Sequence, residues 1–290
     1  MFRKKILYIF VFISGIILFV PQNATSFPEQ LLEVHFIDVG QGDSIYIKTP
    51  ENKHILIDGG PPSAGENVVS YLKKQGAHTI DLLIATHPHI DHIGGLIDVI
   101  EQIPIKQIVH TGIIHPTKTY FMYVYQIWKQ AIPIYIPSKD EQLVNEKNVM
   151  LEVLNSDFQH ESINNTSLAL KLTYDDIRFL LLSDLEREAE DYLQRTNIVK
   201  ADVIKIAHHG SKTSSSFNFL QRVNPQIAIL TYGKDNKFGH PNERVVENIN
   251  FLDTFIYSTA TFGNVVVATN GKQFYVMPES NPLEKALQNN

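Results

Sequence analysis

Four side chains that commonly bind metal ions lie within six residues of one another at positions 87–92. His87 and His89 are two residues apart, so in an extended loop both imidazoles point the same way, and Asp91 and His92 follow at once. Two ions sharing this loop fit better than one tetrahedral ion, with His87 and His89 on one and Asp91 and His92 on the other. Imidazole and carboxylate ligands suit zinc, manganese or iron. The spacing therefore predicts a metal site rather than an exposed polar loop.

Residues of the same chemistry follow apolar segments later in the chain. His208 and His209 end one such segment, and one of them could complete a metal shell while the other faces substrate. Asp184 ends another. The alternative at Asp184 is a helix start, because Ser183 and Glu186 have the spacing of a capping box. The two interpretations are compatible.

The composition excludes other kinds of site. The chain of 290 residues has no cysteine, so disulfides, thiolate zinc sites and a cysteine nucleophile are impossible. The net charge of −6 argues against a generally basic surface for holding nucleic acid. Such a substrate stays open, because bound cations change the charge of a site locally.

The first 26 residues differ in character from the rest. Arg3, Lys4 and Lys5 precede an apolar run at 6–20, and Pro21 and a polar stretch follow. This pattern is typical of an export signal, since the run is short for a spanning helix, although a retained membrane anchor is the alternative. The protein is therefore expected to be secreted, or extracellular and anchored at the cell membrane.

Strands and helices alternate along the remainder. A short apolar strand at 81–86 precedes the histidine loop, and a helix at 96–103 follows it. Strand clusters interleaved with helices predict one α/β domain over residues 31–280, with two sheets between outer helices in a four-layer αββα arrangement. The aromatic-rich helical segment 121–128 is expected to be core or a lid rather than a base-stacking surface.

The His87-x-His89-x-Asp91-His92 pattern resembles the signature of the metallo-β-lactamase superfamily, and further segments resemble the hydrolase domain of ComEC-type competence proteins. They occur in the family's order over residues 32–275: FIDVGQGDS at 36–44, ILIDGG at 55–60, NNTSL at 164–168, LLSDLE at 181–186, HHGS at 208–211 and GHP at 239–241.

The resemblance implies a metal-dependent hydrolase that uses a hydroxide bridging two divalent ions, zinc or manganese. It implies that Asp184 bridges the ions and that His240 is the last histidine ligand. The predicted metal ligands are thus His87, His89, Asp91, His92, Asp184, His208 and His240, and the predicted catalytic residues are Asp91 and His209. The chain departs from the family pattern at Ser183, where glycine is usual. It also has Asn164 and Asn165 where lactamase-like members have a further histidine.

The ComEC-type domain is thought to degrade a DNA strand, so the resemblance favours a phosphodiesterase or nuclease. A lactam, lactone or thioester hydrolase and a non-catalytic binding module are the alternatives. The expected partner is nucleic acid or another phosphodiester, with membrane contact only through an uncleaved N-terminal segment and no protein partner.

Several other residues have two interpretations. Asp38, Asp43 and Asp58 either support ligating imidazoles or are strand-end turn residues. The polar loop 211–216 either holds a phosphate or caps a helix. Histidines without a matching motif are predicted to be surface or structural residues: His110, His115 and His160.

Overall fold

The computed structural model describes residues 31–156, 162–196 and 199–281. The predicted export signal at 1–26 and His160 lie outside these ranges. Within them, no helix combines the length and apolarity needed to cross a membrane.

The first sheet of the described chain has eight strands in the order β15-β14-β1-β2-β3-β4-β5-β6. Strands β3 to β6 run parallel to one another, and the other neighbours pair antiparallel. The bounds are Leu32–Phe36 (β1), Ile45–Lys48 (β2), His54–Ile57 (β3), Leu82–Ala85 (β4), Ile108–His110 (β5), Ile134–Tyr135 (β6), Val265–Thr269 (β14) and Phe274–Pro278 (β15).

The second sheet has seven strands in the order β13-β12-β11-β10-β9-β8-β7. Strands β10 to β13 are parallel, and β7 to β10 pair antiparallel. The bounds are Gln142–Glu146 (β7), Val149–Asn155 (β8), Ala169–Tyr174 (β9), Ile177–Leu181 (β10), Val203–Lys205 (β11), Ile227–Leu230 (β12) and Phe255–Ser258 (β13).

Three apolar clusters define the layers. One lies between the sheets and joins residues such as Val34 and Ile57 to Leu170 and Phe179. Each of the other two lies between one sheet and its helices, around Leu72 on one side and Phe219 on the other. The helices are Gly65–Lys74 (α1), Ile90–Ile93 (α2), Leu96–Gln102 (α3), Lys118–Lys129 (α4), Arg187–Thr196 (α5), Phe217–Val223 (α6), Glu243–Phe251 (α7) and Thr259–Phe262 (α8). The predicted αββα arrangement is confirmed.

The parallel halves of the sheets determine where the polar residues meet. In parallel sheets, ligands bind beyond the carboxyl ends of the strands. Asp58 follows β3, and His87 comes two residues after β4. In the second sheet Asp184, His208 and Thr231 follow β10, β11 and β12. Both sheets thus direct these residues towards one edge of the sandwich.

Candidate metal centre

The carboxylate of Asp184 lies at the centre of the histidine cluster, and its two oxygens face different neighbours. Asp184 Oδ1 is 3.3 Å from His92 Nε2 and 3.5 Å from His209 Nε2. His209 Nε2 is in turn 3.4 Å from Asp91 Oδ2. Asp91, His92 and His209 thus bring three potential ligand atoms within 4.8 Å of one another, and Asp184 adjoins both of these imidazoles. Imidazole and carboxylate donors of this kind suit a divalent transition metal.

The other oxygen of the same carboxylate faces a second group of imidazoles. Asp184 Oδ2 is 3.8 Å from His87 Nε2 and 3.8 Å from His208 Nε2. His89 Nδ1 is 3.0 Å from His87 Nε2. His87 and His208 therefore face the Oδ2 side of Asp184, and His89 adjoins His87.

The outward nitrogens of three site histidines are fixed by the protein. Nδ1 of His92 is 2.8 Å from Asp58 Oδ2, and His209 Nδ1 donates to the Thr231 carbonyl at 2.8 Å. His87 Nδ1 is 3.2 Å from the Thr86 hydroxyl. Metal-ligating histidines typically donate a hydrogen bond from their other ring nitrogen in this way. The bond fixes the tautomer and the orientation of the ring. In each ring Nε2 therefore faces the cluster.

Three buried polar atoms at the centre have no hydrogen-bond partner among the described residues: His92 Nε2, His209 Nε2 and Asp184 Oδ1. An unsatisfied buried polar atom ordinarily costs about 1–3 kcal/mol. All three belong to the same group of converging ligand atoms, so one divalent cation would satisfy them together. The residues present therefore fit the metal that the donor set implies.

The close approach of these ionisable side chains shifts their pKa values. Although burial alone would raise the pKa of Asp184, the imidazoles of His92 and His209 hold that pKa well below its usual range. Burial would lower the pKa of His209, but the Asp184 and Asp43 carboxylates raise it to about 9. Burial is the main cause that holds the pKa of His87 well below its usual value, and the neighbouring His92 lowers it further. His87 is therefore neutral, which is the form that binds metal.

The backbone is unusual at the same positions. Asp58, Ser183, His208 and His209 all have positive φ, between 50° and 57°. Each residue other than glycine in this region costs about 1–3 kcal/mol and persists only where its surroundings determine it, commonly at functional sites. These turns direct the side chains that follow the strands into the cluster.

A buried lysine supports the cluster from below and was not singled out from the sequence. Lys205, on β11, is 0% exposed. Its ammonium forms an ion pair with Asp43 and donates to the Ser183 carbonyl at 3.2 Å. Asp43 also accepts from the Thr231 hydroxyl at 2.6 Å. The sequence signal for this buried lysine is that it is the single charged residue within the apolar run 203–207.

His240 lies at the outer side of the cluster. Its ring centroid is 5.6 Å from that of His208 and 6.1 Å from that of His209. Gln41 Nε2 approaches His240 Nδ1 at 3.4 Å, while Gln41 Oε1 accepts from the Gly233 amide. Burial, followed by the neighbouring His209 and His208, lowers the pKa of His240 to about 4, so this half-buried imidazole is neutral at pH 7.

All of the site residues predicted from the sequence lie in or beside this cluster, although their individual roles stay predictions. Of the supporting carboxylates, Asp43 and Asp58 contact site residues. Asp38 is exposed and accepts from the Gly40 amide, as a turn residue does. His115, whose ring centroid is 5.6 Å from that of His89, lies closer to the site than its lack of a motif suggested.

The capping box predicted at Ser183 and Glu186 is wrong. The Ser183 hydroxyl bonds to Thr86 at 2.7 Å, and the Glu186 amide donates to the Asn165 side chain. Serine at 183 therefore joins the two sheets beneath the site. In the loop 211–216 the capping interpretation is confirmed at Ser216, whose hydroxyl accepts from the Phe219 amide.

Comparisons with known proteins agree with this geometry. The sequence profile of the metallo-beta-lactamase superfamily matches residues 37–234. The chain is 32% identical over 235 residues to ComE operon protein 3 of Bacillus subtilis, covering 74% of this chain and 30% of that protein. It is 28% identical over 254 residues to competence protein ComA of Neisseria gonorrhoeae, covering 84% of this chain and 34% of that protein. The chain thus spans about a third of the length of these relatives.

Solved structures support the fold. The metallo-beta-lactamase fold protein YhfI of Bacillus subtilis superposes with a TM-score of 0.50 at 13% identity, over 78% of this chain and 95% of that one. At this identity the likeness concerns the fold alone. Together with the profile match, it shows that the chain belongs to the metallo-β-lactamase superfamily.

Proposed function

We propose that the protein is a two-metal phosphodiesterase acting on nucleic acid or a related phosphodiester. The carrying observation is that the two oxygens of Asp184 face two groups of ligand atoms, which adjoin each other at His87 and His92. One group is His87, His89 and His208, and the other is Asp91, His92 and His209. Similarity to competence proteins supports a substrate of the nucleic-acid class.

The proposed ligand set differs from the sequence prediction at two histidines. His209 was predicted to be catalytic, but its free Nε2 lies beside Asp91 and Asp184, so we assign it as a ligand. His240 was predicted to be a ligand, but its ring lies outside those of His208 and His209. We therefore assign His240 to the substrate side.

Divalent cations bound in this cluster would supply Lewis-acid polarisation of a phosphoryl oxygen and increase the acidity of water. The protein's own contribution is orientation. Asp58, Thr86 and the Thr231 carbonyl hold three imidazoles with Nε2 inwards, and Lys205 holds Asp43 and the turn before Asp184. The neutral His240 is placed to accept a hydrogen bond or a proton from a group at the mouth of the site.

We also propose that the protein acts outside the cytoplasm. The basic residues and apolar run at its N-terminus support export. Cell fractionation with N-terminal sequencing of the extracellular and membrane-bound protein tests this. Recovery of only full-length protein in the cytoplasm would contradict it.

The activity is tested with metal-depleted protein to which zinc or manganese is returned. Substrates are a chromogenic phosphodiester, a single-stranded oligonucleotide and a lactam. We expect hydrolysis of the phosphodiesters only with metal, and its loss in Asp91→Asn, which removes a ligand carboxylate. Lys106→Met is the matched control, since Lys106 pairs with Asp81 on the surface away from the cluster. Lactam hydrolysis without phosphodiester hydrolysis would refute the substrate class.

A further inference from the structure

We infer that Phe238 is a stacking subsite for a nucleobase of the substrate, at the mouth of the metal centre. The inference rests on the proposed phosphodiesterase function and specifies its substrate as one that carries a planar base beside the reacting phosphate.

The ring of Phe238 is 69% exposed although it adjoins the site. It lies against the His240 ring, with centroids 5.6 Å apart and planes 23° apart. The His240 ring also adjoins the rings of His208 and His209 in the cluster. Phe238 is therefore separated from the potential metal ligands by a single imidazole, on the side open to solvent.

The loop that presents the ring is organised by one side chain, Asn236. Its amide group donates to the carbonyls of Gly233 and His240, at 2.8 and 2.7 Å. Its Oδ1 accepts from the amides of Phe238 and His240, at 3.1 and 3.0 Å. These bonds fix the backbone that carries the exposed ring before substrate arrives, which reduces the entropy cost of binding.

The same loop has a net positive charge, because Lys234 and Lys237 are exposed on it together with one carboxylate, Asp235. Lys212 is exposed on the loop that follows the site histidines. Lysines near an exposed aromatic ring are the combination that binds single-stranded nucleic acid, where cations attract the backbone and rings stack on bases. The stacking is tolerant of sequence, because every base offers a planar face.

An ordinary exposed phenylalanine elsewhere on the surface provides the contrast. Phe255 is 70% exposed on β13. It pairs with Ile227 at the start of the parallel strand β12, so it lies at the end of the sheet opposite the site. Phe255→Ala is thus a control for removing an exposed ring without touching the mouth of the centre.

The test compares probes that differ only in their bases. The metal-loaded protein is given either a single-stranded oligodeoxynucleotide of eight nucleotides or an abasic strand of equal length and charge. Hydrolysis of the two strands is then compared. Stacking is worth about 1–3 kcal/mol per base, so Phe238→Ala should lower kcat/KM on the base-bearing strand by a factor of about 5 to about 150. The abasic strand should be affected much less. Phe238→Trp should keep the preference for bases, and Phe255→Ala should change neither rate.

A binding measurement separates this inference from the proposed activity. Adenosine 5′-monophosphate and ribose 5-phosphate are titrated into wild type and Phe238→Ala by calorimetry. We expect wild type to bind the nucleotide more tightly than ribose 5-phosphate, and Phe238→Ala to bind the two equally. This should hold even if no phosphodiester is hydrolysed. An equal loss on both strands in Phe238→Ala would overturn the inference and leave Phe238 as a support for His240. Equal binding of the two phosphates, or no binding of either, would also overturn it.

Discussion

Replacing Lys205 with methionine should destabilise the protein strongly. The side chain is 0% exposed, and methionine occupies a similar volume without the charge. Asp43 would then lie buried at 1% exposure with His209, 3.4 Å away, but without the ammonium that pairs with it, and the Ser183 carbonyl would lose a donor. Removing one partner of a buried ion pair costs about 3–5 kcal/mol, because the remaining charge loses its compensation in the interior. The neighbouring His209 should place the loss at the lower end of that range.

The assay is equilibrium urea unfolding of the metal-depleted protein. Lys106→Met is the control, because Lys106 also pairs with an aspartate, at 2.6 Å, but its side chain is 65% exposed. An exposed pair of that kind contributes less than about 1 kcal/mol. Lys205→Met should therefore lower the free energy of unfolding several times more than Lys106→Met.

A double-mutant cycle identifies the cause. Asp43→Asn removes the anion and keeps an oxygen for the Thr231 hydroxyl. If the charge pair matters, Asp43→Asn with Lys205→Met should cost less than the sum of the single changes, by about 0.5–3 kcal/mol. Equal losses for Lys205→Met and Lys106→Met, or strict additivity in the cycle, would refute the reasoning.

Three further predictions concern the metal centre itself. Asp58→Ala removes the acceptor for His92 Nδ1, so metal affinity measured by competition with a chelating dye should fall about 10- to 100-fold; unchanged affinity would contradict the supporting role. Removing metal with EDTA should lower the melting temperature, because metal at about 100 times its Kd stabilises a fold by about 2.7 kcal/mol; identical melting curves would contradict a folded-state site. The pKa of His209 is about 9 in the metal-free fold, above its usual value near 6.5. The protonated His209 ring therefore makes its full contribution to the free energy of unfolding below about pH 6.5. That contribution is lost as the pH rises to about 9. Urea unfolding of EDTA-treated protein should show that decline, and His209→Asn should reduce it; a stability that rises through this window would contradict the assignment.

The sequence predicted the fold because its signals were local and repeated. Alternating strand and helix patterns determine the layers, and a histidine loop after an apolar strand places ligands at a sheet edge. Two strands were not predicted, Gln142–Glu146 and Phe255–Ser258. Both are edge strands of the second sheet. Gln142–Glu146 is mostly polar, and Phe255–Ser258 is apolar but only four residues long and begins soon after α7 ends at Phe251.

The division of the site into two groups was not predictable from spacing alone. His208 and His209 are adjacent, yet they approach opposite oxygens of Asp184 because both adopt positive φ. No spacing rule anticipates this conformation in residues other than glycine. The contact of Lys205 with Asp43 is likewise long-range, joining residues 162 positions apart, one on β11 and the other in the loop between β1 and β2. Such pairings follow from tertiary packing and leave only a weak trace in the sequence.

The capping box at Ser183 and Glu186 was wrong for a related reason. The spacing of these residues was correct for a helix start. In the fold, the Ser183 hydroxyl finds a partner on the other sheet, Thr86, and the Glu186 amide is satisfied by Asn165. Tertiary hydrogen bonds replaced the local ones, so a motif defined by spacing alone misidentified the partners.

We propose that the buried nitrogens and carboxylates around Asp184 gather two divalent cations. The most direct measurement is anomalous diffraction from a crystal of the protein soaked in manganese. We predict two peaks, one on each side of the Asp184 carboxylate, one beside His87 and the other beside His92. A crystal that takes up manganese elsewhere, or has no peak within the cluster at saturating metal, would contradict the account.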